Sequence, residues 1–472
     1  MNTNFSPRPG LLHFEPGLML LATLIAVTAF AATPGGDVGT NPAPAAVAAT
    51  SVVQAEAADA RPASTNMIGQ QYPKVDSERR ATFRISAPQA QSVRVSFGNL
   101  ALTKDDNGVW MGTTPPLDPG FHYYNFIIDG AAVADPASES FFGSSYLHSG
   151  IEVPEAGVDF YNAKDVPHGE IRQRFYFSKS ANETKSVFVY TPPDYDKNPA
   201  ARYPVLYLQH GLGEDRRAWA VQGRTNFILD NLIAEGKAKP MLIVISDGGL
   251  AAGFGAGGGG RGARGGAGGG RGGLPGGGAP GVGVPGGRAG VGGAPPGVAP
   301  VAAAGAPGAP AGGPPARGAR GGGGGAGGMG AGFAAELVNE IIPMVETSYR
   351  TLTDRNNRAM AGLSMGGSQT YEITQANLDK FASIGIFSAP FGAPAPATGY
   401  NGLMTRPDEF AKQVNVFFIS RGSKEPDAGL QAHNQFEQAG IKHIYYVAPG
   451  TAHEFQTWRK SLHEFAPLLF SN

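Results

Sequence analysis

The chain has 472 residues, with 71 Gly, 38 Pro, no Cys and a formal net charge of -1. Without Cys there is no disulfide scaffold, thiolate metal site, cysteine nucleophile or lipid-modified N-terminal Cys. Residues 251–332 hold 39 of the 71 Gly, leaving 32 in the other 390 residues, about 8% and near the ordinary ~7%. That stretch also carries six Arg (Arg261, Arg264, Arg271, Arg288, Arg317, Arg320) and no acid, so the rest sums to -1 - 6 = -7. A mildly acidic body argues against a nucleic-acid partner, and the lack of a strict Gly-X-Y period excludes collagen.

The N-terminus reads as an export signal. Arg8 lies in a short polar region, and Gly17 to Ala32 is an apolar run of 16 residues, short of the ~20 that span a bilayer. Ala29-Phe30-Ala31 has the small-x-small form of a cleavage site, with an uncleaved membrane anchor as the alternative. The expected arrangement is a signal over 1–32 and a disordered Ala/Pro/Thr/Gly-rich linker over 33–75. Localisation is then secreted or periplasmic, with no stable membrane association after cleavage.

Short strands and turns are expected over 76–155. Phe83 and Ile85 alternate with Arg84, and Val93, Val95 and Phe97 alternate with Arg94 and Ser96. Asp105-Asp106-Asn107-Gly108 supplies a turn before Val109-Trp110-Met111, and Leu117-Asp118-Pro119-Gly120 turns into the aromatic strand Phe121 to Phe126. This spacing predicts a small β-sandwich. The stretch resembles the immunoglobulin-like family-48 carbohydrate-binding module. The matching features are Ser86-Ala87-Pro88, Gly108-Val109-Trp110, Pro119-Gly120, Asp129-Gly130 and Asp135-Pro136. Trp110 is either a core residue, the preferred reading, or a stacking platform for a sugar.

Over 160–472 the segments alternate between strand and helix. Apolar runs Val187 to Tyr190, Val205 to Leu208, Met241 to Ile245, Met360 to Leu363, Ile384 to Phe387, Val414 to Ile419 and Ile444 to Val447 read as buried strands. Helical stretches such as Phe227 to Glu235 and Ala334 to Tyr349 separate them, which predicts a mostly parallel sheet with helices on both faces. The Gly/Arg/Pro stretch 251–332 is an insert in this domain, read as disordered. Its 82 residues would span on the order of 50 Å freely and cost only about 2 kcal/mol of extra closure entropy. A passive loop is the preferred reading, ahead of a mobile lid or acidic-polymer tether. An RNA-binding Gly-Arg tract comes last, because export counts against it.

Gly362-Leu363-Ser364-Met365-Gly366 follows the strand-like Arg358 to Ala361 and precedes a helical stretch. A G-x-S-x-G between strand and helix forms the nucleophile elbow of α/β-hydrolases. Ser is a weak nucleophile at neutral pH, so a base and an oxyanion site are needed nearby. The base must lie downstream. His453, in a loop just past the strand ending at Val447, falls at the carboxyl edge of the sheet with Ser364. His463 sits on the terminal helix, His443 starts a strand and His433 lies on a polar helix, so none competes. The acid belongs to the loop after Val414 to Ile419, where Glu425 and Asp427 both occur; Glu425 is preferred and Asp427 stays open. Val205 to Leu208 runs into Gln209-His210-Gly211-Leu212-Gly213, which makes the backbone N–H groups of Leu212 and Met365 the expected oxyanion donors. His210 is then structural.

Together these motifs resemble the esterase-D-like group that includes feruloyl and acetylxylan esterases of carbohydrate esterase family one, and enterochelin esterases. Tyr203-Pro204-Val205-Leu206-Tyr207, Gly223-Arg224 with Asn226 to Asp230, and Gly450 to Glu454 extend the match. The resemblance implies an α/β-hydrolase preceded by an immunoglobulin-like β-sandwich, an arrangement familiar in that group. A Glu at the position of Glu425 also looks usual there. It implies an exported serine carboxylester hydrolase that removes feruloyl or acetyl groups from plant cell-wall polysaccharide through an acyl-enzyme, with no metal or cofactor. The insert is not part of the family pattern. The alternatives are a siderophore-ester hydrolase and, in another class, a non-catalytic carbohydrate-binding protein.

Overall fold

The computed structural model describes residues 57–248, 331–389 and 395–471. The expected signal, residues 33–56 and the Gly-rich insert up to Gly330 lie outside the described residues. Three antiparallel sheets make up the N-terminal part. The first joins Arg61–Pro62, Lys74–Val75, Ala81–Ser86, Val109–Thr113 and Thr103–Lys104 in that order. The second joins Ala131–Val133, Phe126–Ile128, Val93–Val95 and Leu100–Ala101. The third joins Ser140–Gly143, Tyr146–Val153 and Gly120–Tyr124. Alternation along these strands turns Phe83, Val93, Val95, Tyr124, Phe126, Ile151 and Val153 into one core.

Trp110 is only 7% exposed and its Nε1–H donates to the Ala87 carbonyl at 2.9 Å, so it is a core residue and offers no sugar platform. Residues 57–75 do not behave as the linker expected over 33–75. They add two strands to the first sheet and place Ala63 and Val75 in the core, because even a low-hydropathy stretch gains order when its few apolar groups find a partner. The Asn-Gly turn forms as read. The Asp105 carboxylate accepts the N–H groups of Asn107 and Val109, and Gly108 takes φ +78° where a Cβ would sit 2.5 Å from that of Pro88.

The C-terminal part is an eight-stranded, mostly parallel sheet flanked by helices, as expected for an α/β-hydrolase. Its strands are β1 (Glu170–Ser178), β2 (Glu183–Thr191), β3 (Val205–Gln209), β4 (Leu242–Ile245), β5 (Arg358–Leu363), β6 (Ser383–Phe387), β7 (Val416–Gly422) and β8 (Ile444–Ala448). They lie in the order β1-β2-β4-β3-β5-β6-β7-β8, and only the contacts of β2 with β1 and β4 are antiparallel. β1 escaped sequence reading because most of its side chains are exposed or half-buried, so it lacks an apolar run.

Alternation decides which face each strand residue serves. Leu206, Leu208, Ile243 and Ile245 pack under helices α1 (Thr225–Ala234) and α6 (Phe455–Phe465). Val205, Tyr207, Leu242 and Val244 pack on the opposite face, against Ile373 and the helical run Ala331–Glu336, Leu337–Ile341 (a π-helical turn) and Ile342–Ser348 (α2). Helices α3 (Met365–Ala376), α4 (Pro407–Gln413) and α5 (Ala428–Gln438) complete the flanking layers.

The two parts are not independent beads. All described residues fall in one compact unit, and Phe121 and Phe141 of the third sheet belong to the same core as Trp219, Phe387 and Phe465. Arg459, fully buried on α6, donates to both Glu152 oxygens at 2.7 and 3.0 Å and to the Gln222 carbonyl. Burial alone would raise the Glu152 carboxyl, but the Arg459 charge and hydrogen bonds hold it below the usual range. Removing one partner of such a pair strands the other charge in the interior. Arg459→Ala should therefore cost about 3–5 kcal/mol in urea unfolding; a loss within ~0.5 kcal/mol, the size typical of surface sites, would contradict a joint core.

Candidate active site

The elbow forms where the sequence places it. β5 ends at Leu363, α3 begins at Met365, and Ser364 between them holds φ 51° and ψ -118°. A non-Gly residue at this φ is strained, and such strain persists only where its surroundings over-determine it. The Ser364 N–H donates to the Phe387 carbonyl of β6 at 2.8 Å. A Cβ on Gly362 would fall 2.3 Å from the Gly366 carbonyl oxygen, and one on Gly366 would fall 2.5 Å from that of His210. Both contacts are to backbone, which leaves no room for a side chain. The Ser364 side chain is thus lifted off the carboxyl end of the sheet while α3 directs its N-terminus toward the same point.

His453 and Glu425 come from the two loops beyond β8 and β7. Ser364 Oγ lies 2.9 Å from His453 Nε2, and His453 Nδ1 lies 3.1 Å from Glu425 Oε1. A carboxylate can only accept, so Nδ1 carries the proton and Nε2 is free to accept from the serine hydroxyl. The Glu425 side chain is 6% exposed, whereas the His453 ring is 47% exposed. Asp427 stands apart: its side chain is 70% exposed and faces Arg421 at 3.5 Å. The structure therefore brings Ser364, His453 and Glu425 together and leaves Asp427 outside.

Backbone bonds lace the two loops to each other. Ser423 N–H donates to the Ala448 carbonyl and Lys424 N–H to that of Thr451, while the Ser423 hydroxyl accepts the Gly450 N–H. Arg421 donates to the Glu425 carbonyl at 2.8 Å, and the Trp458 ring meets His453 edge-on at 5.2 Å. The other downstream histidines lie away from the serine: His433 bonds His443, and His463 pairs with Glu464 on α6.

The His-Gly loop after β3 runs beside the serine. A Cβ on Gly211 would lie 3.5 Å from that of Ser364, and Leu212 next to it is exposed. His210 is buried and its Nδ1–H donates to the Gly211 carbonyl at 2.8 Å, in keeping with a structural role. Sequence reading missed Glu214, whose signal was only its place three residues after Gly211. Its buried carboxylate accepts the Gly211 N–H at 2.8 Å and fixes the loop. Burial raises the Glu214 carboxyl above its usual range, against the opposing pull of His210, the Gly211 bond and His453.

A family model described as "Putative esterase" matches residues 178–261 and 332–469. That match covers most of the α/β part. An endo-1,4-beta-xylanase/feruloyl esterase from Xylanibacter ruminicola is 36% identical over 422 residues, which is 87% of this chain and reaches well beyond the α/β part. The chain spans about half (47%) of that relative's length. Among solved structures, an enterochelin esterase from Shigella flexneri aligns at TM-score 0.50 and 15% identity, over 82% of this chain and 91% of that one. A ferulic acid esterase from Anaeromyces mucronatus aligns at TM-score 0.44 and 21% identity, over 66% of this chain and 96% of that one. The enterochelin-esterase likeness speaks for the fold alone. Among the described residues no helix is long and apolar enough to cross a membrane.

Two outcomes check the site's construction. Gly366→Ala must push the His210 carbonyl aside and should lower stability by about 1–3 kcal/mol; an unchanged melting temperature would refute the close approach. For Glu214, an acid raised in the folded state gives stability that is present below the unfolded value and lost as pH climbs toward the folded one. Glu214→Gln keeps an acceptor for Gly211 without a charge. Its melting temperature should gain on the parent's as pH rises above the usual value of 4.5, and parallel curves would contradict the buried carboxyl.

Proposed function

We propose that the protein is an exported serine carboxylester hydrolase that removes feruloyl or acetyl groups from plant cell-wall polysaccharide through an acyl-enzyme. The observation that carries this reading is the continuous hydrogen-bonded line from Ser364 Oγ through His453 to Glu425. In the proposed reaction Ser364 Oγ attacks the ester carbonyl carbon as its proton passes to His453 Nε2. The Leu212 and Met365 N–H groups receive the oxyanion, and the positive end of α3 adds to their pull. His453 then protonates the departing sugar oxygen, and the C–O bond breaks to leave an acyl group on Ser364. Water, deprotonated by His453, attacks that acyl carbon and releases the acid and free Ser364. Glu425 holds the imidazole tautomer and stabilises the imidazolium. Every step is carried by side chains and backbone N–H groups of this chain.

The substrate class rests on the relative from Xylanibacter ruminicola, whose name joins xylan cleavage to feruloyl ester cleavage. Residues 76–155 are proposed as an immunoglobulin-like β-sandwich related to the family-48 module, and the N-terminal segment 1–32 as a cleaved export signal. Ser364→Ala should lower kcat on methyl ferulate by on the order of 10⁶, and Glu425→Gln by on the order of 10⁴ through loss of the imidazole tautomer. Asp427→Asn should stay close to the parent. Wild-type rates in Ser364→Ala, or a greater loss in Asp427→Asn than in Glu425→Gln, would overturn the assignment of roles. A panel of methyl ferulate, acetylated xylan and enterobactin tests the substrate class, and turnover confined to enterobactin would overturn it.

A further inference from the structure

The N-terminal part reaches the β3 loop beside the serine through a hairpin. Ser140–Gly143 pairs with Tyr146–Val153, with Gly143 opposite Tyr146, so Ser144 and Ser145 form a two-residue turn. Both take positive φ (49° and 71°), the conformation of a tight hairpin turn whose twist matches its strands. The Ser145 N–H donates to the Gly213 carbonyl at 2.7 Å. Gly213 itself holds φ +73°, and a Cβ there would fall 3.0 Å from Ser144 Cα. Gly213 lies two residues past Gly211, which is in turn packed beside Ser364.

Tyr146 directly follows this turn. Residues 146, 148 and 150 share one face of the strand. On that face the His148 ring lies 3.9 Å from Tyr146, Tyr123 lies 5.0 Å from His148, and Phe455 of α6 lies 6.4 Å from Tyr123. A Cβ on Gly150 would strike Phe121 and Phe141, both members of the α/β core. This is therefore the face turned toward the catalytic half. His148 is buried and Tyr123 half-buried there, but Tyr146 at the end is 52% exposed, and the serines beside it are exposed as well. Leu212, on the loop that the hairpin touches, is 56% exposed.

We propose that Tyr146, with the Ser144 and Ser145 hydroxyls, is a subsite for the sugar that bears the ester. This inference rests on the ester-hydrolase reading and names the residue that recognises the non-reacting half of its substrate. A sugar ring offers an apolar C–H face rimmed by hydroxyls. A half-exposed phenol ring preceded in the chain by two exposed serines answers both features, and a half-exposed Tyr loses little rotamer freedom on binding. Contacts to the sugar lie away from the reacting carbonyl, so they act on binding of ground state and transition state alike.

The test compares three esters: a feruloylated arabinoxylo-oligosaccharide, methyl ferulate and 4-nitrophenyl acetate. Tyr146→Ala should raise KM for the oligosaccharide about five- to tenfold with kcat unchanged, and leave both parameters on the two sugar-free esters unaltered. Tyr146→Phe should restore the parent KM, and the melting temperature of both variants should match the parent, since the ring is an exposed one at a hairpin tip. An equal KM change on all three esters, or none on the oligosaccharide, would overturn the subsite. Failure of the ester-hydrolase reading would look different: the unmodified enzyme would turn over none of the three.

Discussion

The site depends on one awkward residue of backbone. Ser364 sits at φ 51° between β5 and α3, and no part of that turn can relax without disturbing something else. Its own N–H is committed to β6, Gly362 is pressed against Gly366, and Gly366 is pressed against the end of β3. Strain of this kind costs of order 1–3 kcal/mol and has to be held by its surroundings. What it provides is position. The serine hydroxyl leaves the plane of the sheet at its carboxyl edge, where the loops after β3, β7 and β8 all arrive.

Those loops are held by different devices. The β7 and β8 loops hold each other by paired backbone bonds, so Glu425 and His453 move as a unit. The β3 loop is tied by the buried Glu214 from below and by Ser145 of the N-terminal part from the side. The N-terminal part also reaches the acid loop, where Asp118 pairs with Lys424 at 2.8 Å, and α6, where Glu155 pairs with Lys460 at 2.8 Å. The exposed Asp118–Lys424 pair contributes little. The buried Arg459–Glu152 pair and the shared aromatic core are what make the two halves one body. A β-module whose strands complete the catalytic core has a structural reason to stay attached, whatever it binds.

Much of the catalytic half was legible because its signals are local. Buried parallel strands are short apolar runs, and a Ser fixed between two obligatory glycines at a strand–helix junction has few other readings. Chain order narrowed nine histidines to His453, since the base must follow Ser364 and, of the histidines that do, His453 is the one placed in a loop at the carboxyl edge of the sheet. The choice between Glu425 and Asp427 was harder, because two residues in one turn differ only in which way the turn points them; Arg421 draws Asp427 outward. What the sequence hid is whatever depends on distant contact. β1 has an exposed face and no apolar run, residues 57–75 gain order only from the sheet that they join, and Glu214 and Arg459 read as ordinary charges until their burial is seen. The fusion of the two halves was hidden for the same reason, since Phe121 and Phe141 look like residues of a self-contained sandwich.

The most direct test of the central claim is covalent labelling with a fluorophosphonate, followed by mass spectrometry of the peptides. Such a reagent reports a serine made nucleophilic by a neighbouring base, independently of which ester the enzyme prefers. The account predicts a single phosphonate adduct on Ser364, formed rapidly in the parent and lost in His453→Ala. No adduct on Ser364, an adduct on the neighbouring Ser368 instead, or labelling of Ser364 at full speed without His453 would contradict it.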